Sequence, residues 1–532
     1  MGKSMDKIIF PLLPDAVAKR WLGQVQVNLD LERAICLITC DKSGLEDICE
    51  WVFSKLGYSF ATLVVEESQS HWFLRYIFYG EPASGQIHIL LLSDKSESTI
   101  PSISKVVHAA DWHERETEDL FGIVFEGHPR LGDFVLHEEW PEGVNPMHVK
   151  FDAHQPYHHR ELDHEWRPPG IVQSPGAFMM PIGPVYSDVA ESAHFLLETV
   201  GEDVIRTIPR FFYKYRGVEK IAEGCPVDKV ILLSERFSGT SAFAHSLAFC
   251  QAIETITGVE VPPRARALRI VLAELERLRH HIAAIAGICS STALAVATSQ
   301  AGILEEDALR MTGALVGHRY LFGLNKPGGL TRDFHDSLFQ RLAGDAATLV
   351  TRLCELKGML RFTSSFLDRI EAVGVISPIQ AIAYGLVGPI ARATGIARDL
   401  RKTLPYGGYE GVAFEVPVET EGDGYARLRV LFREAEQSAA IIREMTSALP
   451  DGKIAGTFNY AAGAALGWVE APRGAAFQWV RIAENGSVTR YRITPPSFTN
   501  WHGFHLAAEN FAFQDFPIIM ATFGLSNAES DR

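Results

Sequence analysis

Paired cysteines are missing from this sequence. The seven present in 532 residues (Cys36, Cys40, Cys49, Cys225, Cys250, Cys289 and Cys354) form no C-x-x-C pair. A chain this long with so few thiols carries no disulfide framework and reads as one kept in a reducing compartment, its thiols scattered as small hydrophobes. An excess of positive charge is missing too. Fifty Lys and Arg stand against 65 Asp and Glu, a net charge of −15. That excludes the basic footprint of a nucleic-acid binder and suits solubility or docking onto basic partner subunits. There is no G-x-x-x-x-G-K-[ST] and no G-x-G-x-x-G between a strand and a helix, so neither a phosphate loop nor a direct NAD site is expected. YGGYEG (406–411) follows Pro405 and reads as a turn, and neither H-E-x-x-H nor G-x-S-x-G occurs.

Long membrane runs are also scarce. The N-terminal MGKSMDKIIFPLLPDAVAKRW has too short an apolar run for a signal peptide, and Pro11 and Pro14 break it. Asp6 stands where a myristoylation motif takes Ser or Thr. The uncharged stretch 282–304 (IAAIAGICSSTALAVATSQAGIL) is long enough to span a bilayer, but it is rich in Ala, Ser and Thr and contains Gln300. It reads as core helix and turn. Membrane attachment is then expected through partners, with the chain peripheral on the cytoplasmic side.

What is present is the composition of a soluble globular protein, 47% hydrophobic and 22% charged, too long for one core. Residues 1–150 mix strand patterns (30–41, 61–67, 71–80, 86–94) with a helical one at 43–57, which predicts a small α/β domain. A Pro-, Gly- and His-rich segment follows, placing a linker at 151–175. Its neighbourhood holds His148, His154, His158, His159 and His164, with no clean helical pair, so they read as solvated side chains rather than ligands. Residues 176–532 predict a large, mainly helical domain, with helices over 241–257, 262–287, 304–322, 335–372 and 425–448 and strands at 195–203 and within 454–494. The fold class is α+β.

One charged run stands out in the first domain. HERETEDLFG (113–122) reads as a helix turn closed by a glycine cap, with Glu114, Arg115, Glu116 and Asp119 placed to lace neighbouring segments by ion pairs. The longer block AADWHERETEDLFGIVFEGHPRL (109–131) resembles the signature of the small C subunit of respiratory complex I. PIGPVYSD (181–188), YKYRGVEKIAE (213–223), ERFSGTSAFAHS (235–246), GVEVPPRARALRIVLAELERLRHH (258–281), GLNKPGGLTRDF (323–334), VGPIARATGIARDLR (387–401), EAPRG (470–474) and DFPIIMATFGLSNAESDR (515–532) follow in order. They resemble the complex I D subunit and, more closely, the large subunit of membrane-bound [NiFe] hydrogenases. The fusion resembles the large subunit of formate hydrogenlyase.

The resemblance implies a metal cage that this chain does not spell. Hydrogenases of the family carry R-x-C-G-x-C-x-x-x-H and D-P-C-x-x-C, whose four thiolates hold nickel and iron. Here the four positions are Ser238, Ser241, Ser526 and Glu529. Alcohols do not ionise at neutral pH to replace soft thiolates, so no [NiFe] centre and no hydrogen chemistry of the usual kind is expected. The hydrogenases are trimmed just beyond the second motif, whereas this chain ends there at Asp531-Arg532, as an unmetallated chain would.

The quinone pocket of complex I is associated with a His in G-P-Q-H-P and a Tyr in L-D-Y-V-S. Tyr186 and Gly239 take those positions, with His194 near a second His, so the known pair is not reproduced. If a quinone binds, Tyr186, His194 and His245 are the candidate contacts, with Ser238 and Ser241 in the same polar pocket. Glu219, in R-G-x-E, matches a glutamate proposed in hydrogenase proton transfer; it reads either as a buried carboxylate of raised pKa or as the structural partner of Arg216. Arg473 matches a cavity-lining arginine and is placed to compensate Glu529. His281 reads as a packing residue.

The expected function is that of a subunit of a membrane-associated, complex I- and hydrogenase-related oxidoreductase, shaping a cavity that couples electron transfer to proton or ion movement. The implied partners are an iron–sulfur small subunit, a ferredoxin-like subunit and antiporter-like membrane subunits, which would carry the iron–sulfur clusters. An NADH:quinone oxidoreductase headpiece and a purely structural adaptor remain open alternatives, and an active [NiFe] hydrogenase is disfavoured.

Overall fold

In the N-terminal sheet, alternate residues of two neighbouring strands enter two different cores. The strands of this five-stranded sheet are β1 (Val25–Asp30), β2 (Ile35–Cys40), β3 (Ser59–Glu67), β4 (His71–Tyr79) and β5 (Gln86–Asp94). Their order is β1-β2-β5-β4-β3, with β2 and β5 parallel and the other pairs antiparallel. Leu63, Val65, Tyr76 and Phe78 join a core built from the N-terminal domain and from later residues such as Phe195 and Trp501, while Val64, Ile77 and Tyr79 join the helical core of the large domain. A sheet covered on both faces explains the near-continuous apolar runs ATLVV and FLRYIFY. The computed structural model from which this architecture is read describes residues 10–80, 84–97, 99–161, 175–186 and 191–532. Residues 1–9, His164 and Ser187-Asp188 of the sequence reading lie outside them.

The 43–57 pattern forms the helix Leu45–Glu50, continued by a π turn over Trp51–Lys55. The charged run forms the helix Asp111–Phe121, closed by Gly122 at φ 74°. A Cβ at Gly122 would lie 2.6 Å from Asn145 Oδ1, so glycine is required both by the left-handed cap and by space. This helix docks on the C-terminal helix Pro496–His502, with the Trp112 and Phe498 rings 5.6 Å apart. The first domain and the C-terminal part of the chain therefore share one aromatic core.

In the large domain the helix Pro263–Ser291 packs against Ala295–Val316 and Gly424–Ser447, while Asp336–Arg361 closes the bundle against the latter two. Ala242–Thr257 lies on the sheet Gly463–Ala471, Gly474–Ile482 and Val488–Thr494. Two expected helices differ in extent. The 304–322 helix begins at Ala295 and stops at Val316, because Gly317 caps it at φ 82°. The 335–372 helix splits at Phe362-Thr363 into Asp336–Arg361 and Ser364–Ile370.

The 195–203 pattern becomes the hairpin His194–Val200 and Asp203–Arg210, flanked by Ala177–Ile182 and Phe511–Ala512. Stretch 282–304 is the end of one buried helix, a turn and the start of the next, and no helix among the described residues is long and apolar enough to cross a membrane. His154, His158 and His159 are exposed, whereas His148 contacts Glu67 at 3.0 Å.

Candidate functional site

The positions Ser238, Ser241, Ser526 and Glu529 converge, although they lie on two distant segments. Ser238 and Ser241 occupy the loop between the helix Val227–Arg236 and Ala242–Thr257. That second helix has no side-chain cap of its own; the N–H groups of Phe243 and Ala244 donate to Glu276 of the neighbouring helix at 2.8 and 3.0 Å. An acceptor borrowed from a packed helix fixes the start of the helix, and with it His245 in its first turn. On the other segment, Ser526 caps the short helix Asn527–Ser530 by accepting from Glu529 N–H at 3.1 Å.

Glu529 fills the centre and is fully buried. Its carboxylate accepts from Ser238 Oγ at 3.3 Å, from His245 Nε2 at 2.9 Å, and from both the hydroxyl and the N–H of Ser497. A carboxylate only accepts when ionised, so His245 carries its proton on Nε2. Arg473 Nη1 stands 3.9 Å from the same carboxylate. The guanidinium also ties the two segments together, donating to Gly524 O at 2.8 Å and Thr240 Oγ1 at 3.1 Å, with Ser241 Oγ at 3.5 Å. Burial alone would raise the Glu529 carboxyl, but the hydrogen bond from His245 and the charge of Arg473 outweigh it and hold the pKa down at about 2. The donors gathered here are hydroxyl and carboxylate oxygens already engaged with one another. Such a set does not fit a nickel–iron pair, which selects thiolate.

Glu219 corrects the sequence reading twice. It is buried, but its partners are Arg490, Arg492 and Arg532 at 3.3, 3.4 and 3.1 Å, not Arg216. Arg216 instead donates to the carbonyls of Phe237 and Ala528. Burial raises the Glu219 carboxyl, yet the three guanidiniums prevail and the pKa is lowered, not raised. Glu116 completes the cluster by pairing with Arg492 at 2.6 Å and with Arg532. The rest of the charged run behaves differently from the expected ion pairs. Glu114 accepts from Ser102 and Ile103, Asp119 accepts from the N–H groups of Val135 and Leu136, and Arg115 lies over the Phe134 ring.

Tyr186 stands apart from the Glu529 cluster. Its hydroxyl donates to Ala193 O at 2.9 Å, and its ring lines an apolar pocket of about 510 Å³ with Ile182, Trp501, Phe516 and Met520. Glu191 and Asn527 are the polar groups of that pocket, and Leu525 and Asn527 form the wall it shares with the segment around Ser526. Asn527 Oδ1 is buried with no hydrogen-bond partner among the described residues. His194 begins the strand His194–Val200 and is not among the described residues lining this pocket. The single polar pocket expected around Tyr186, His194, His245, Ser238 and Ser241 is therefore two places, a filled polar cluster and an adjacent apolar cavity.

Sequence reasoning missed Ser497, which clamps Glu529, and the arginines 490 and 492. The alternation R-Y-R in a strand otherwise buried on both sides was the available signal. It also missed a buried charge network. Arg392 pairs with Glu434 at 2.6 Å and Glu470 at 2.8 Å, and Arg401 pairs with Asp399 at 2.6 Å and Glu274 at 2.9 Å. His281 packs inside the bundle and meets Glu434 at 2.8 Å.

Comparison with known proteins agrees with this architecture. The family pattern of the respiratory-chain NADH dehydrogenase 30 Kd subunit matches residues 38–157, and that of the 49 Kd subunit matches 301–461 and 454–532. Formate hydrogenlyase subunit 5 of Escherichia coli (strain K12) is 29% identical over 93% of this chain and 88% of its own length. Hydrogenase-4 component G of the same organism is 29% identical over 84% of this chain and 78% of its own length. The C/D subunit of NADH-quinone oxidoreductase from Bdellovibrio bacteriovorus is 31% identical over 71% of this chain and 68% of its own length. Each relative is by its name a subunit or component of a larger assembly. The chain belongs to the complex I- and hydrogenase-related family in which the 30 Kd and 49 Kd subunits of respiratory-chain NADH dehydrogenase are fused, the family of the NADH-quinone oxidoreductase C/D subunits.

Proposed function

We propose that this chain serves a membrane-associated oxidoreductase complex as its C/D-type subunit without a nickel–iron centre of its own, and that it couples electron transfer in partner subunits to proton or ion movement. The observation that carries the reading is Glu529. A buried, ionised carboxylate bound by Ser238, His245 and Ser497 and faced by Arg473 takes the place that four thiolates take in the hydrogenases. An ion pair of this kind is costly to disrupt once buried, so it acts as a fixed electrostatic element rather than as an open coordination site.

The partners in this reading are an iron–sulfur small subunit, a ferredoxin-like subunit and antiporter-like membrane proteins. The chain sits peripherally on the cytoplasmic side and binds no NAD and no nucleic acid. The acceptor is a quinone, held in the apolar pocket beside Tyr186. The pocket has the volume of a small-molecule site and few polar groups, the pattern such ligands favour. Asn527 Oδ1 offers the acceptor that a quinol hydroxyl needs. Glu219, pinned by three arginines, holds the C-terminal Arg532 against the strand Val488–Thr494, Glu116 of the first domain pairs with two of the same arginines, and Glu219 is not a relay at neutral pH.

The test is turnover of the purified complex with short-chain quinone and with hydrogen. The reading expects quinone-dependent oxidation of a reduced donor, slowed by Met520→Trp, which narrows the pocket, and no hydrogen uptake or evolution. Hydrogen turnover, or quinone turnover indifferent to Met520→Trp, would overturn it.

A further inference from the structure

A second cluster lies where the two domains meet, away from Glu529 and Glu219. A ring nitrogen of His108, a ring nitrogen of His502 and a carboxylate oxygen of Asp111 lie within 4.8 Å of one another. His108 and Asp111 belong to the first domain, at the entry to the helix Asp111–Phe121, and His502 ends the helix Pro496–His502 of the second. Asp111 and His502 are buried, while His108 is half-buried, so the cluster has one side open to solvent.

The Asp111 carboxylate is approached by an imidazole at each oxygen. Asp111 Oδ2 is 3.4 Å from His502 Nε2, and Asp111 Oδ1 is 3.1 Å from His128 Nε2. At 3.4 Å the Asp111–His502 contact is long for a hydrogen bond, and His502 Nε2 is a buried atom with no closer partner among the described residues. An unsatisfied buried ring nitrogen is costly, and one set beside a carboxylate and a second imidazole asks for an occupant. The neighbours fix the rings in place. Tyr384 stands edge-on to His108 with centroids 4.3 Å apart, and Trp112 packs on His502 at 5.4 Å.

We propose that His108, Asp111 and His502 bind one divalent first-row transition ion, of which Zn²⁺ is the representative, and that this ion joins the two domains. Two imidazoles and one carboxylate are the donors such ions take, and ligands on bonds of about 2.0–2.1 Å sit roughly 3.3 Å apart around a tetrahedral centre. A small rotation of each side chain closes the cluster to that spacing. His128 then backs the Asp111 carboxylate from its other oxygen, orienting it as outer groups orient metal ligands. The solvent-facing side of His108 leaves the remaining position to water. The site is independent of the reading of Glu529 and of the quinone pocket.

The test uses the full chain, stripped with chelator and titrated with Zn²⁺ by isothermal calorimetry. The proposal predicts one saturable Zn²⁺ per chain, at least about 100-fold weaker in His108→Ala and in His502→Gln, since removing a ligand costs more than removing its outer partner. Replacing the exposed His154, His158 and His159 by Ala leaves the binding unchanged. His108→Ala alters a half-buried side chain, and a wild-type circular dichroism spectrum for it separates lost binding from lost fold. The proposal is overturned by an absence of saturable binding in the wild type, or by binding that survives His108→Ala and disappears with the exposed histidines.

Discussion

Replacing Glu529 by Gln removes one charge and almost no volume, so its effect measures how far the Glu529 cluster is ionic. The carboxyl is fully buried and held at about 2 against an ordinary 4.5. At about 1.4 kcal/mol per pH unit, that difference gives the folded chain about 3 kcal/mol at neutral pH. The sign follows from the lowered pKa. The stabilisation is complete above pH 4.5 and is lost as the pH falls from there toward 2, because the unfolded chain takes up the proton first. Removing one member of a buried pair also leaves Arg473 facing an amide, a loss of the same order. Thermal unfolding of a unit of roughly 350 residues converts 3 kcal/mol into a fall of about 4 °C. The assay is a melting curve for each chain between pH 7 and pH 3. The gap between wild type and Glu529→Gln narrows as the pH falls. A variant that melts within about 1 °C of wild type at pH 7, or a gap that stays constant across the range, would refute the ionic reading of the cluster.

Three further outcomes follow from the same geometry. Glu219→Gln leaves Arg490, Arg492 and Arg532 without their shared anion and lowers stability by about 3–5 kcal/mol in denaturant unfolding. Gly388→Ala is costly although it lies outside the cluster. Gly388 has φ 68°, and a Cβ there would meet the Arg473 carbonyl oxygen at 2.1 Å, so the turn that aims Arg473 must shift, at about 1–3 kcal/mol by calorimetry. Glu276 behaves in the opposite sense to Glu529. Burial pushes it up to about 7, so its contribution falls as the pH rises from 4.5 through 7. Glu276→Gln therefore gains relative to wild type over that window, by up to about 3 kcal/mol, in pH-dependent melting.

The broad architecture is legible because its signals are local. Strand alternation, the Gly122 cap and the long apolar helix faces each lie within one segment, and the ordered blocks of the second domain identify the family. Helix ends were less legible: Gly317 and Phe362-Thr363 stop helices inside stretches that keep an apolar pattern. At the site, the missing sulfurs at 238, 241, 526 and 529 can be read directly, as can the candidate pairing of Arg473 with Glu529. The partners of Glu219 cannot. Arg490 and Arg492 reach it from a strand far along the chain, and only the folded sheet brings them within 3.4 Å. A nearby arginine in sequence, Arg216, was the natural but wrong partner, because its side chain is taken by carbonyls at Phe237 and Ala528. The separation of Tyr186 from His245 is likewise a tertiary fact, since Tyr186 lines a pocket whose described lining includes neither His245 nor Glu529.

The central claim is that Glu529 and its partners take the place of a nickel–iron pair. The most direct measurement is the nickel content of the assembled complex, purified from cells supplied with nickel and read by plasma mass spectrometry against this chain's concentration. The account predicts nickel far below one atom per chain, and no change on Glu529→Gln. One nickel per chain, lost when Ser238, Ser241 or Glu529 is replaced, would contradict it.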